Sequence, residues 1–544
     1  MRVYDEFTPT FPDRDTWSLA HVLRERAQTH GDRVALDFPL TGERWTYAEL
    51  LGTSERIARH LLANEIEAGD RLVIMCANRP EVVFAWVAAA VGGLVEVPIN
   101  TAYRGSFLEH QLGTVDATAY VIDPEFAERL IESRSACGAL RRIYVTAAEG
   151  ADAAIALLRD AGWQADLFTA AHAGGDSELP TIDVRKPCAI FFTSGTTGPS
   201  KGVVMSHMQM AFFADELRAL TRLTDADAYM AVGPMFHGNS QFLAAYPILI
   251  AGGRFVLRER FSASRWSAWL RESQVTVTNL IGVMMDFVWK AAPTAQDADN
   301  PLRCVFAIPT ATQIVDQFKQ RFGIDVFVES YGMTEVSMPM LTPYGQPYPA
   351  GSCGLLVEDW YEVRIVDPQT DEELPPGEVG ELLVRSKQPW LMNSGYYRMP
   401  ERTVDAYRNF WFHTGDGVRR DADGWFYFVD RLNDTIRRRG ENISSYELEQ
   451  TVLEHVAVIE CAAVAAPADE GGEDEIAVFV VATAEGAVEI AELRDWCEHR
   501  LPRFAIPRDV HLVRELPKTP SGKIRKAELR ALARELLTTA ASER

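Results

Sequence analysis

The run Thr193-Ser-Gly-Thr-Thr-Gly-Pro-Ser-Lys201-Gly202 concentrates hydrogen-bond donors in ten residues. It follows the apolar stretch Cys188 to Phe192 and precedes Val203-Val204-Met205. Gly195, Gly198 and Gly202 let the backbone approach a ligand closely. The hydroxyls of Thr193, Ser194, Thr196 and Thr197, with Lys201, suit a polyphosphate. By composition alone the run fits a Ser/Gly/Thr turn between two strands equally well. It is not a Walker A loop, and Gly522-Lys523 is not one either, because Pro517 stands where the first glycine belongs.

Other residues carry usable chemistry at wider spacing. Tyr331-Gly332-Met333-Thr334-Glu335 sets an aromatic, a hydroxyl and a carboxylate within five residues. Asp416 lies in Thr-Gly-Asp-Gly, a pattern that also fits a plain turn, and Arg431 follows Asp430. Arg437, Arg438 and Arg439 precede Gly440; they fit either a solvated charge run or a cationic rim for an anionic ligand. His237 in Pro-Met-Phe-His-Gly reads as a structural histidine or as a pocket residue.

The whole chain narrows these choices. It has 544 residues, 54 Lys+Arg and 77 Asp+Glu, for a net charge of −23. Such a field repels polyanions, which argues against nucleic-acid partners and anionic membranes, so an anionic ligand needs a local site. The 47% hydrophobic share excludes wholesale disorder. Seven cysteines with no Cys-x-x-Cys fit a reducing compartment, and no zinc or disulfide framework is expected. The apolar run from Val82 is too short to span a bilayer and is followed by Glu96 and Pro98. A cytoplasmic enzyme without membrane insertion is the expectation; a homodimer is left open.

The elements that must position these residues alternate between helix and strand. Thr46-x-x-Glu49 is a capping box for a helix toward Asn64, and Arg71 to Met75 reads as a strand. Helix–strand couplets at 82–99, 242–257 and 313–328 predict α/β layers. After Pro375-Pro376-Gly377 the pattern shifts to short β pieces, then to a compact α+β region with a helix after Ser444-x-x-Glu447. The expected architecture is a large multi-sheet α/β domain over 1–432 and a small mobile α+β domain over 433–544.

Taken in order, the motifs resemble those of the adenylate-forming superfamily, which includes acyl-CoA synthetases, stand-alone adenylation domains and luciferases. Thr193 to Gly202 is similar to its signature loop, and Tyr331 to Glu335 to its second core motif. Thr414-Gly415-Asp416 resembles the third, Asp430-Arg431 the hinge region, and Pro517 to Lys523 the C-terminal lysine motif. Five motifs in sequence are far more specific than any one. Arg437 to Asn442 looks most like the carnitine/crotonobetaine–CoA ligase branch.

The resemblance implies an enzyme that joins a carboxylic acid to ATP as an acyl-adenylate, releases pyrophosphate, and passes the acyl group to coenzyme A. It implies that the 193–201 loop holds the outer phosphates, that Thr334 meets the α-phosphate, and that Tyr331, Gly332 and Met333 meet the nucleotide. Asp416 and Arg431 would hold the ribose, and Glu335 would bind Mg²⁺. Lys523 would bridge carboxylate and α-phosphate. His237, Gln241 and Ala307 would line the acyl pocket; Arg437, Arg438, Arg439 and Gly440 would meet CoA. Two departures stand out: Phe306-Ala307-Ile308-Pro309 replaces a glycine-rich stretch, and Asn433 replaces the usual charged hinge residue. Two rivals remain: transfer of the activated group to a carrier-protein thiol, an amine or another nucleophile, and a noncatalytic nucleotide-binding protein.

Overall fold

The computed structural model describes residues 7–193, 200–281, 284–432, 436–438, 441–443, 445–467, 474–483, 488–501, 505–518 and 524–542. Its packing forms two compact units. The first comprises 1–362, 384–412 and 424–426; the second comprises 363–383, 413–423 and 427–544. This division begins upstream of the expected domain boundary at 433. Residues of a four-stranded sheet (Tyr361–Val366, Gly380–Ser386, Phe412–Arg420, Phe426–Arg431) hydrogen-bond to one another and thereby group largely with the C-terminal unit.

In the first unit two seven-stranded sheets carry the architecture. One runs Gln164–Leu167, Arg142–Val145, Ala119–Ile122, Arg71–Met75, Val95–Pro98, Pro187–Thr193, Lys201–Ser206. It is parallel until its last pair, an antiparallel hairpin in which Thr193 faces Lys201. The other places Val326–Val328, Cys304–Ile308, Val277–Ile281, Ala228–Ala231, Arg254–Leu257 and Val34–Phe38 in parallel, then Glu43–Thr46 antiparallel at its edge. Parallel strands need crossovers, and the helical couplets seen in the sequence supply them.

Local signals explain several elements. Thr46 and Glu49 form both bonds of the capping box that opens Tyr47–Ala63. Pro80–Gly92 starts on a proline and stops at Gly93 in the left-handed region, φ 69°. Asn78 ties the sheets together: its Nδ2 donates to the carbonyls of Gly233 and Arg258 at 2.7 and 2.8 Å, and its Oδ1 accepts from Met235 N. Among the described residues no helix is long and apolar enough to cross a membrane. All seven cysteines are buried and free of disulfides.

The second unit also contains a three-stranded sheet, Val458–Pro467, Asp474–Ala482 and Asp509–Leu512. Ile436, Leu448, Val452 and Leu493 belong to one of its apolar clusters, and Val464, Leu516 and Leu529 to the other. Lys526 Nζ pairs with Glu449 Oε1 at 2.9 Å, joining the helices Lys526–Ser542 and Ser445–Leu453.

Candidate active site

Glu335 is the centre of the site in the first unit. It is 3% exposed, and its Oε1 accepts from Tyr396 OH at 3.2 Å and from Thr193 Oγ1 at 3.4 Å. Lys201 Nζ lies 4.6 Å from the centroid of the same Tyr396 ring. One end of the donor-rich loop therefore meets the carboxylate directly, and the other meets the tyrosine that donates to it. Ser194, Gly195, Thr196, Thr197 and Gly198 lie outside the described residues.

The backbone around Glu335 is held from two sides. Asn393 donates to the Glu335 carbonyl through N at 2.8 Å and Nδ2 at 3.0 Å. Its own segment runs beside the hairpin, with Ser394 N to Val204 O, Val204 N to Gly395 O and Tyr397 N to Gly202 O. From the other side Gln209 Nε2 donates to Thr334 O at 3.0 Å. Gln209 belongs to the helix His207–Thr221, which Ser206 caps directly after the hairpin strand. Sequence reading missed Asn393, Tyr396 and Gln209, which belong to no recognised motif and are brought in by strand neighbours.

Tyr331 and its neighbours form the strand Ser330–Met333 against Ser337–Leu341, with Tyr331 opposite Met340. Tyr331 is buried, whereas Gly332 is exposed and Met333 and Thr334 are half-buried. A Cβ on Gly332 would lie 2.4 Å from Ser337 O, so the hairpin requires glycine there. Glu329, just upstream, accepts from Thr310 N at 3.2 Å, and burial pushes its pKa up to about 7.

The expected acyl residues have different settings. His237 is half-buried and caps the short helix Gly238–Ser240, its Nδ1 accepting from Asn239 N at 3.2 Å. Gln241 opens a π-helical turn, a geometry that concentrates at functional sites. It is 1% exposed and donates Nε2 to Glu96 Oε2 at 2.9 Å. Ala307 packs in an apolar cluster with Met230, Leu280 and Phe318. Asn279, opposite Phe306 in the sheet, donates to Asn239 O at 3.2 Å.

In the second unit the Thr414-Gly415-Asp416 motif is gripped by Glu381. Glu381 Oε1 accepts from Gly415 N at 3.1 Å, and Oε2 lies 2.9 Å from His413 Nδ1. Gly415 holds φ +70°, a conformation that favours glycine. Thr414 Oγ1 donates to Leu382 O at 2.7 Å and accepts from Asp416 N at 3.1 Å. Asp416 is 2% exposed. Asp371 brings a third ligand-type atom within 4.8 Å of those of Glu381 and His413. With both Glu381 oxygens engaged by the motif's own flank, the group forms a brace.

Leu432 N donates to Gly415 O at 3.0 Å, tying the motif to the residue after Arg431. Arg431, Arg437 and Arg438 lie on the strands Phe426–Arg431 and Ile436–Arg438, and only their backbone is described. Asn433, Arg439, Gly440, Ser444 and Lys523 lie outside the described residues. Lys518, within the lysine motif, and Ile524, directly after it, are joined by a β-bridge.

Two near-parallel sheets, a donor-rich hairpin aimed at a buried carboxylate, and a separate α+β unit define the architecture of adenylate-forming enzymes. The sequence model of the AMP-binding enzyme matches residues 23–397, and that of the AMP-binding enzyme C-terminal domain matches 447–523. The chain belongs to the AMP-binding enzyme family. It is 32% identical over 525 residues to a crotonobetaine/carnitine–CoA ligase of Salmonella paratyphi A, covering 94% of this chain and 99% of that one. An anthranilate CoA ligase crystallised with anthranoyl-AMP shares the fold at TM-score 0.83 and 22% identity, covering 99% of this chain and all of the other. A benzoate CoA ligase from Burkholderia xenovorans LB400 does so at 0.80 and 22%, covering 94% and 99%.

Proposed function

We propose that this chain is an AMP-forming acid–CoA ligase, which activates a carboxylic acid with ATP and then forms the acyl-CoA thioester. The observation that carries the reading is that Thr193 and Tyr396 donate to buried Glu335 while Lys201 lies over the ring of the same Tyr396. Full-length similarity to a CoA ligase supports the acceptor. Seven buried cysteines without a disulfide support a cytoplasmic setting.

A carboxylate attacking an α-phosphate concentrates negative charge, so positioned donors and cations carry most of the rate enhancement. Lys201 and the hydroxyls of Thr193 to Thr197 hold the outer phosphates as pyrophosphate leaves. Thr334 donates to the α-phosphate, Tyr331 stacks on the base with Gly332 and Met333 beside it, and Asp416 accepts from the ribose with Arg431 donating nearby. Glu335 fits Mg²⁺: a buried carboxylate faced by hydroxyl donors offers the hard oxygen that this ion takes alongside phosphate and water. When bound, the ion neutralises phosphate charge.

Lys523 bridges the acyl carboxylate and the α-phosphate during adenylation. The small domain, 433–544, then turns about Asn433, which lies between the two matched family ranges. That turn lets one site run two half-reactions. Gly440 leaves room for pantetheine, Arg437, Arg438 and Arg439 meet the anionic end of CoA, and His237, Gln241 and Ala307 shape the acyl side. A panel of carboxylic acids, including carnitine and crotonobetaine, tests the reading by AMP release, with product mass measured with and without CoA. An acyl-CoA product is expected. AMP release independent of CoA, with no thioester from any acid, overturns the acceptor; absent ATP–pyrophosphate exchange overturns the adenylation.

A further inference from the structure

Away from the proposed active site, the first unit carries a groove of about 560 Å³ between the turn of the Val34–Phe38/Glu43–Thr46 hairpin and the helix Trp266–Glu272. Arg258 lines it, directly after the strand Arg254–Leu257. The residue is 4% exposed. Its guanidinium lies over the Trp269 ring, 4.8 Å from the centroid. Nη2 donates to Ser273 Oγ at 2.6 Å, and Nε is buried with no hydrogen-bond partner among the described residues.

Among the described residues Arg258 forms no ion pair, whereas two of the three acids lining the groove already have one. Asp37 pairs with Arg44 and Arg254, and Glu272 with Arg265. Glu259 is the third. Arg44, Arg260 and Arg265 complete the cationic lining, giving four arginines against three acids in a chain whose net charge is −23. Burying an unpaired cation is costly unless a counter-charge compensates it. A planar guanidinium backed by an aromatic face is suited to an oxyanion. Burial lowers the Arg258 pKa although Glu272, Glu259 and Asp37 act to raise it, so those carboxylates leave its desolvation uncompensated.

We propose that this groove is a second anion site, in which Arg258, with Arg260 and Arg265 at the rim, binds a small phosphate-bearing ligand. The backbone already fixes the arginine's place, since Arg258 O accepts from Asn78 Nδ2 at 2.8 Å and Arg258 N donates to Ala231 O at 3.2 Å.

Equilibrium dialysis of the full chain with labelled orthophosphate tests this in wild type, Arg258→Met and Arg258→Lys, at ionic strength matched with chloride. Wild type should bind one phosphate equivalent more than Arg258→Met, with at least a fivefold weakening at that equivalent. Arg258→Lys, which keeps the charge and loses the planar fork, should fall between. Any phosphate held by the 193–201 loop is common to all three and cancels. Pyrophosphate and AMP arms separate a free phosphate from a nucleotide source, each supporting the site if its uptake depends on Arg258. Equal uptake by wild type and Arg258→Met for all three probes overturns the proposal. If Arg258→Met does not fold, the exposed pair Arg260→Gln with Arg265→Gln decides: a loss of twofold or more supports the site, and no change overturns it.

Discussion

Replacing Glu96 by Gln should change how stability depends on pH. Glu96 is 1% exposed on the strand Val95–Pro98. Its Oε2 accepts from Gln241 Nε2 at 2.9 Å, and its Oε1 has no hydrogen-bond partner among the described residues. Burial raises its pKa to about 8 from an ordinary 4.5, and the Gln241 bond offsets only part of this. The small cavity beside it is lined by Trp86, Cys188, His207, Met210 and Tyr246. Burial lowers His207 to about 4 and raises the Cys188 thiol, so near neutrality neither supplies a countercharge.

The folded state thus binds the Glu96 proton more tightly than the unfolded chain does. The favourable contribution is complete below about pH 4.5 and is lost as pH rises toward 8. At ~1.4 kcal/mol per pH unit for one proton, the loss between pH 5 and pH 8 is about 3–4 kcal/mol. Glu96→Gln keeps the shape and the acceptor for Gln241 but cannot ionise. Urea unfolding followed by tryptophan fluorescence, with hydrogen exchange of the amides of residues 95–97, should find the two proteins within ~1 kcal/mol at pH 5. At pH 8 the variant should be the more stable by about 3 kcal/mol. Parallel profiles across that range would refute the assignment of a buried, proton-holding carboxyl.

Three further outcomes concern the reaction. Lys523→Ala should lose ~10²–10³ in adenylation, the scale for removing one stabilising donor, yet still convert supplied acyl-adenylate and CoA to thioester; equal loss in both half-reactions would remove it from that role. Glu335→Gln should need more Mg²⁺ for half-maximal adenylation, read from a Mg²⁺ titration, and an unchanged midpoint would make the carboxylate structural. Glu381→Ala frees Gly415 N and His413 Nδ1; it should raise the ATP KM about tenfold with a smaller change in kcat, as expected when a hydrogen bond orienting a binding loop is lost, and Glu381→Gln should restore part of that loss.

The sequence by itself determined the local elements and the chemistry-bearing motifs, because both are written in short-range patterns. Thr46 and Glu49 cap a helix wherever it packs, and the helix–strand couplets admit little but parallel sheets with crossovers. Only the tertiary structure decided which groups share a site. Asn393 reaches Glu335 across 58 positions and Tyr396 across 61, because their segment runs beside the hairpin strand Lys201–Ser206. Glu381 meets Gly415 across 34 positions. The same holds for protonation and charge pairing. No local sequence pattern distinguishes Glu96 or Arg258 from other charged residues. Desolvation by the surrounding chain raises the acid and leaves the base unpaired, and no residue adjacent in sequence specifies that surrounding.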